Sequence, residues 1–432
     1  MRRVVLAYSG GLDTSVAVRW LIEHGDAEVI AVAVDVGQEA DATVDSWEAI
    51  RQRALAAGAV EAIVVDARQE MAEEFCFAAV RANARYEGKY PLVSALSRPV
   101  IVRHLVRAAR EHGAQAVAHG CTAKGNDQVR FDVAVGALAP ALQVVAPLRE
   151  WSMGRSEEIA YAAAHGLEVR ATVESPYSID ANLWGRSVET GILEDPWVSP
   201  PESAYEWTAA PESAPPEGAE VEIHFEAGIP TRLDGEELSG VELVEGLNRL
   251  GGAHGVGRID HVEDRLVGIK SREIYEAPAA VVLDMAHRQL EALTLPRDVL
   301  RFKRLVADEW AQLTYDGLWF SHLRQSLGAF VASTQPLVTG EVRLRLRQGA
   351  LTVLGRSSPS SLYRRELATY ERQDDRFQHQ AATGFLSIFG LPLRTQAQVQ
   401  GRLWEDSRPL LQSAPRGIAA APGSEEPGAS GG

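Results

Sequence analysis

The chain is expected to be an α/β protein: an N-terminal doubly wound parallel sheet, a second α+β domain, and a C-terminal helical arm. Three observations predict this. Over residues 1–170, short runs of β-branched residues alternate with amphipathic stretches, as repeated βα units do. The first run passes through two adjacent glycines straight into a helical stretch. After residue 170 the strands alternate apolar and polar side chains, which suits antiparallel pairing with one wet face.

The first strand is Val4-Val5-Leu6. Beyond the turn, Val18, Leu21 and Ile22 fall on one helical face, and the helix is expected to open at Asp13, Thr14 or Ser15. Residues 29–35 are a continuous apolar run of the buried parallel type. Residues 47–57 have helical composition, and 62–66 make a third strand. Residues 98–110 form an amphipathic helix with Pro99 in its first turn. Strands four and five are 116–119 and 144–146. Three polar loops, after Ala7, Val34 and His119, would then meet at the carboxyl edge of the sheet, where such folds bind ligands.

The domain boundaries are read as 1–170, 171–360, an oligomerisation helix or arm over 361–404, and a disordered tail over 405–432 dominated by Pro, Gly, Ser and Glu. In the second domain, 198–219 is a surface loop or linker. Residues 221–226 are a half-wet strand. Residues 239–250 are a helix punctuated by Gly251-Gly252. Residues 342–347 and 351–354 form a hairpin around Gln348-Gly349.

A length of 432 residues exceeds one ordinary core. The net charge of −16 opposes a nucleic-acid binder held by many phosphate contacts. Two cysteines, Cys76 and Cys121, make neither a disulfide framework nor a zinc pair. The opening apolar run is broken by Gly10, Gly11 and Asp13 too soon for a signal peptide, and no apolar run approaches about 18 residues. A cytoplasmic protein without membrane or nucleic-acid partners is expected.

Two loops carry the chemistry. Ser9-Gly10-Gly11-Leu12-Asp13-Thr14-Ser15 joins a strand to a helix N-terminus, where backbone amides and hydroxyls favour an anion. It is neither a Walker A loop nor Gly-x-Gly-x-x-Gly. Blandly it is a capped turn. It resembles the PP-loop of the ATP pyrophosphatases, Ser-Gly-Gly-x-Asp followed by two hydroxyl residues, whose fold is adenine nucleotide alpha hydrolase-like and whose members cleave ATP between the α and β phosphates. The second loop, Gly120-Cys-Thr-Ala-Lys-Gly-Asn-Asp-Gln-Val-Arg-Phe131, crowds donors and acceptors suited to a zwitterion.

Together these loops resemble those of the argininosuccinate synthases. Further segments agree: Asp35-Val-Gly-Gln38, Tyr90 with Leu96-Ser-Arg-Pro99, Asp180-Ala-Asn-Leu183, Gly255-Val-Gly-Arg-Ile-Asp260, Lys270-Ser-Arg272, Ile274-Tyr-Glu276 and Ser358-Pro-Ser-Ser-Leu-Tyr363. The resemblance spans residues 1 to about 400. It implies a ligase in which the ureido oxygen of citrulline attacks the α-phosphorus of ATP, after which the aspartate amine displaces AMP. It implies Mg²⁺ on the phosphates, no protein metal cage, and a homotetramer.

The resemblance also implies site residues. ATP would contact Ala7, Tyr8, Ser9, Gly10, Gly11, Leu12, Asp13, Thr14, Ser15, the backbone at Val34, and Gly120. Aspartate would contact Thr122, Asn126 and Asp127. Citrulline would contact Tyr90, Asn126, Arg130, Ser178, Ser187, Glu263 and Tyr275. Asp13, Ser15, Asn126, Asp127 and Arg130 would carry the chemistry. Taken singly, each has a plainer reading. Tyr90 and Tyr275 suit packing, Ser178 and Ser187 suit turns or caps, Glu263 suits a solvated face, and Arg130 could pair with Asp132 or Glu150. Two positions depart from the family pattern. Val34 replaces a usual Ala, and Ala95 a frequent Ser, with Ser94 adjacent. Two other functions stay open: another PP-loop adenylating enzyme, such as a tRNA-modifying sulfur transferase, or a non-catalytic amino-acid or nucleotide sensor.

Overall fold

The computed structural model describes residues 2–38, 46–151, 153–167 and 177–400, which fall into two compact units divided between Tyr363 and Arg364. The tail assigned to 405–432, and the residues just before 177, lie outside the described residues.

Five parallel strands open the first unit: β1 (Arg2–Ala7), β2 (Ala27–Asp35), β3 (Glu61–Asp66), β4 (Ala116–Ala118) and β5 (Gln143–Val145). Their order is β3-β2-β1-β4-β5, so the sheet is doubly wound and its direction of growth reverses between β1 and β4. The alternation within strands splits the core. Val5, Ile30, Val32 and Val34 pack toward the helix Val93–Glu111. Val4, Leu6, Val29, Ala31 and Ala33 face the helices Leu12–Gly25 and Trp47–Ala56.

A four-stranded antiparallel sheet follows, built from β6 (Ser178–Asn182), β7 (Gly185–Glu189) and two later strands. Next come β8 (Ala219–Glu226), β9 (Ile229–Leu233) and β10 (Glu236–Glu237), then β11 (Arg258–Asp264) and β12 (Lys270–Glu276), and finally β13 (Gly340–Arg347) and β14 (Ala350–Ser357). The orders are β11-β12-β7-β6 and β10-β9-β8-β13-β14. The expected hairpin is present: Gln348 and Gly349 both take positive φ, 47° and 80°, as a two-residue turn between right-twisted strands requires. Val342, Leu344 and Leu346 are buried while the intervening arginines face solvent. The second unit contains the helices Arg365–Ala368, His379–Phe389 and Leu391–Gln400.

Four expectations need correction. The first helix opens at Leu12, because Ser15 N already donates to Gly11 O at 3.1 Å and closes the turn there. The helix expected at 98 begins at Val93, so Pro99 lies inside it. Part of the reason is that the Tyr90 hydroxyl accepts the first-turn amide of Ser94 at 2.9 Å, an amide with no partner inside the helix. The helix Gly240–Ala253 runs through Gly251-Gly252 instead of stopping before them, and a Cβ on Gly252 would lie 2.1 Å from the Trp207 carbonyl oxygen. These glycines serve close packing. Last, 198–219 is no free linker. The fully buried carboxylate of Glu276 accepts the amides of Glu206, Trp207 and Thr208 at 2.8–3.1 Å and pairs with Arg186 at 3.0 Å. Among the described residues no helix is long and apolar enough to cross a membrane.

Candidate active site

The loop after β1 ends in a helix capped by Gly11 without a side-chain cap. The first amides of that helix have no acceptor within it, and the positive end of its dipole faces outward. Hydroxyls surround them. Ser9 Oγ and Thr14 Oγ1 are 3.2 Å apart, and Tyr8 Oη lies 2.9 Å from Ser15 Oγ. Gly10 takes φ 81°, and Arg53 donates to its carbonyl at 2.6 Å. Gly120, at the end of β4, borders the same loop: a Cβ there would sit 3.2 Å from Thr14 Cγ2. The two loops therefore meet at the strand-order reversal, where doubly wound sheets bind ligands. Val34 is buried, and its carbonyl already accepts Gln38 Nε2 at 2.9 Å. Asp13 pairs with Arg155 at 3.0 Å. Near it, burial and the charge of Asp13 push the Glu158 carboxyl up to about 7.

A cavity of about 90 Å³ gathers Tyr90, Asn126, Asp127, Arg130, Ser187, Glu263 and Tyr275, seven of the residues singled out from sequence. Strand register explains part of this. Ser187 pairs with Tyr275 across β7 and β12, Asp180 with Ser187 across β6 and β7, and Glu273 with His261 across β12 and β11. Directly paired residues share a sheet face, so Asp180, Ser187, Glu189, Glu273, Tyr275 and Glu263 all point one way. The opposite face carries Val188 and Ile274 into a small core. Ser178 shares the polar face but is exposed and does not line the cavity. Thr122 is also exposed and outside it.

The cavity is a linked polar network. Asp127 accepts from Arg98 at 2.6 Å and Arg130 at 2.9 Å. Burial opposes its ionisation, but the two guanidiniums prevail and hold the carboxyl at about 2. Arg130 thus pairs with Asp127, not with Asp132 or Glu150; Asp132 instead binds His119 and Arg149. Arg98 also reaches Asp180 at 2.8 Å, and Ser94 Oγ donates to the same oxygen at 2.6 Å. Asn126 donates to the Tyr315 hydroxyl and accepts the Leu266 amide. Tyr315 Oη in turn donates to Glu263 at 2.6 Å. Tyr275 stacks on Tyr90 at 4.3 Å, and Tyr86 on Tyr315 at 3.6 Å.

The Tyr275 hydroxyl lies 2.7 Å from Glu263 and 2.8 Å from Glu273. One phenol carries one proton, so both contacts are satisfied only if one carboxyl is protonated. Glu273 fits that part. Burial first, then the charges of Glu263 and Glu189, push it up to about 8, although Arg265 donates to it at 3.0 Å.

Sequence reasoning missed Arg98, Asp180, Glu189, Arg265, Glu273 and Tyr315 as site residues. Arg98 and Asp180 sat unassigned inside quoted motifs. Glu273 carried a usable signal: in a strand it must share the face of Tyr275.

Cys76 is fully buried, and burial raises both its thiol and that of Cys121 well above the usual range. Neither cysteine is poised as the thiolate that sulfur transfer needs.

Two family models match the chain. "Arginosuccinate synthase N-terminal HUP domain" covers residues 3–168 and "Arginosuccinate synthase C-terminal domain" covers 177–396. Curated relatives named argininosuccinate synthase are similar over nearly their whole length. The Symbiobacterium thermophilum protein is 56% identical over 399 residues, 92% of this chain and 98% of its own. The Rubrobacter xylanophilus protein is 57% identical, covering 92% and 96%, and the Brevibacillus brevis protein 54%, covering 95% and 97%.

Proposed function

The chain belongs to the argininosuccinate synthase family, and on that premise we propose how its two polar loops and its cavity divide ATP, citrulline and aspartate. It is an ATP-dependent, AMP-forming carbon–nitrogen ligase of arginine biosynthesis. The observation that carries the division of substrates is the course of a single segment. It leaves Gly120 beside Thr14, at the phosphate loop, and reaches Asn126, Asp127 and Arg130 in the cavity.

ATP places its β and γ phosphates on the amides and hydroxyls from Ser9 to Ser15, with the adenosine toward Val34 and Gly120. Citrulline occupies the cavity between Tyr90 and Tyr275. Its carboxylate goes to Arg130 with the hydroxyl of Ser187, while Ser178 stands exposed on the same sheet face, outside the cavity. Its ammonium goes to Glu263, whose two oxygens are already oriented by Tyr275 and Tyr315. That anchoring leaves the ureido oxygen free to point at the α-phosphorus. Attack there forms the P–O bond of a citrullyl-adenylate and releases pyrophosphate. Aspartate then binds through Thr122, Asn126 and Asp127, and its amine attacks the ureido carbon and expels AMP. The protein supplies fixed position and fixed charge, the terms worth most in such displacements.

Mg²⁺ would enter with the nucleotide phosphates, and Asp13 is the carboxylate that the phosphate loop offers it. When bound it neutralises phosphate charge. The exposed Phe385, Leu386, Ile388 and Phe389 of the helix His379–Phe389 support the homotetramer reading, which light scattering tests. A cytoplasmic location remains part of the same proposal.

Omitting each amino acid in turn while following AMP and pyrophosphate tests the reaction. AMP should form only with citrulline, and argininosuccinate only with both. Release of ADP, or AMP formation without citrulline, refutes it.

A further inference from the structure

A second cavity, of about 340 Å³, shares no residue with the substrate cavity. Three arginines line it, Arg81, Arg103 and Arg324, against one carboxylate, Glu74. Arg103 is neutralised by Glu70 at 2.5 Å and Glu74 at 2.7 Å. Arg81 and Arg324 are different. Among the described residues neither has a carboxylate partner, and the Nε of each is buried without a hydrogen-bond acceptor. Burial lowers the basicity of both, Arg324 to about 10, and no anion counters it.

The Arg324 guanidinium lies over two indoles instead, 3.5 Å from the Trp319 ring centroid and 4.9 Å from that of Trp310. Trp319 stacks on Phe75 at 4.5 Å, which fixes the platform. Ring faces hold a guanidinium by about 0.5–2 kcal/mol and supply no counter-charge to it. In a chain of net charge −16, two neighbouring arginines left without carboxylates are unexpected unless an anion arrives from outside. The planar fork of a guanidinium suits the paired oxygens of phosphate or carboxylate. The cavity has the size of a small-molecule site, and Gly328 and Ala332 leave its wall low.

We propose that this cleft is a second anion site, which binds a small phosphate- or carboxylate-bearing molecule between Arg81 and Arg324. The ligand is distinct from the three substrates, and its oxygens supply the counter-charge that Arg81 and Arg324 lack among the described residues.

The test is calorimetric titration of the full chain with inorganic phosphate, and separately with malonate, while saturating Mg-ATP occupies the phosphate loop and no amino acid is present. The wild type should bind at least one of the two at one site per chain, and the two arms separate phosphate from carboxylate preference. Arg81→Gln and Arg324→Gln should each weaken binding by roughly tenfold or more, the size of a lost charge-assisted contact. Arg324→Lys keeps the charge but loses the planar fork and its stacking on Trp319, so it should bind more weakly than the wild type and more tightly than Arg324→Gln. AMP formation from the three substrates should be unchanged in all three variants. The proposal is overturned if the wild type binds neither probe or if the Gln variants bind as tightly as it does. It is also overturned if Arg324→Gln alters the oligomeric state, since a second copy's carboxylates would then be what covers these arginines.

Discussion

Replacing Glu273 by Gln tests whether the cavity keeps one carboxyl protonated. Glu273 accepts from Arg265 on one oxygen and meets the Tyr275 hydroxyl on the other. A Gln carbonyl replaces the first contact and its amide replaces the second, so the variant mimics the protonated acid. Burial first, then Glu263 and Glu189, raise this carboxyl from 4.5 to about 8. Between those values the unfolded chain has released the proton and the folded chain retains it. Stability therefore falls as pH rises through this window, by at most about 1.4 kcal/mol per pH unit, and the slope ends above the folded value. The variant cannot ionise and should lack that slope. Near pH 7 its citrulline KM should lie within about threefold of the wild type. At pH 9 the wild-type Glu273 is charged beside Glu263, Tyr275 can satisfy only one of them, and KM should rise about tenfold, the value of one hydrogen bond to a charged group. The variant should show no such rise. Initial rates of AMP formation from pH 6 to 9.5, with denaturant unfolding over the same range, measure both effects. If wild type and variant share the same alkaline limb and the same stability slope, the protonated pair is refuted.

Glu158→Gln should flatten a second pH dependence. Above about pH 7 the wild-type Glu158 joins Asp13 as a second negative charge near the phosphate loop, so the ATP KM should rise severalfold between pH 6 and 8. An identical profile in the variant opposes this reading. Asp127→Asn removes the charge between Arg98 and Arg130, and should raise the aspartate KM by roughly tenfold or more while the ATP KM moves less than about threefold. Equal losses for both substrates would remove Asp127 from the aspartate subsite. Gly37→Ala forces a Cβ to 2.7 Å from the Leu183 amide at φ +94°, and the backbone strain alone should cost roughly 1–3 kcal/mol in denaturant unfolding. An unchanged midpoint would refute the backbone strain assigned to position 37.

Much of the first half of the molecule was legible because its signals are local. The apolar run at 29–35 is a buried parallel strand whatever surrounds it, and Gln348-Gly349 specifies its own turn. The same holds for the phosphate loop, whose amides and hydroxyls are contiguous in sequence. What escaped was set by contacts distant in sequence. Val93-Ser-Ala-Leu-Ser97 reads as helical only once Tyr90 is seen to accept the Ser94 amide. Glu273 enters the site because β12 is sandwiched between β7 and β11, a pairing that no short stretch announces. Tyr315 ends a helix whose amphipathic face speaks of packing, yet its hydroxyl joins Asn126 to Glu263 across almost 190 residues of sequence. Glu276 looked like one more strand residue, but it is the anion that holds the 206–208 loop.

The central claim is that citrulline lies with its ureido oxygen against the α-phosphorus of ATP held on the Ser9 to Ser15 loop. Turnover of citrulline labelled with ¹⁸O at the ureido position, followed by mass spectrometry of the products, tests it most directly. The label should appear in AMP, in one oxygen on its phosphorus, and not in pyrophosphate or water. Label in pyrophosphate, or AMP formed without label, would contradict the account.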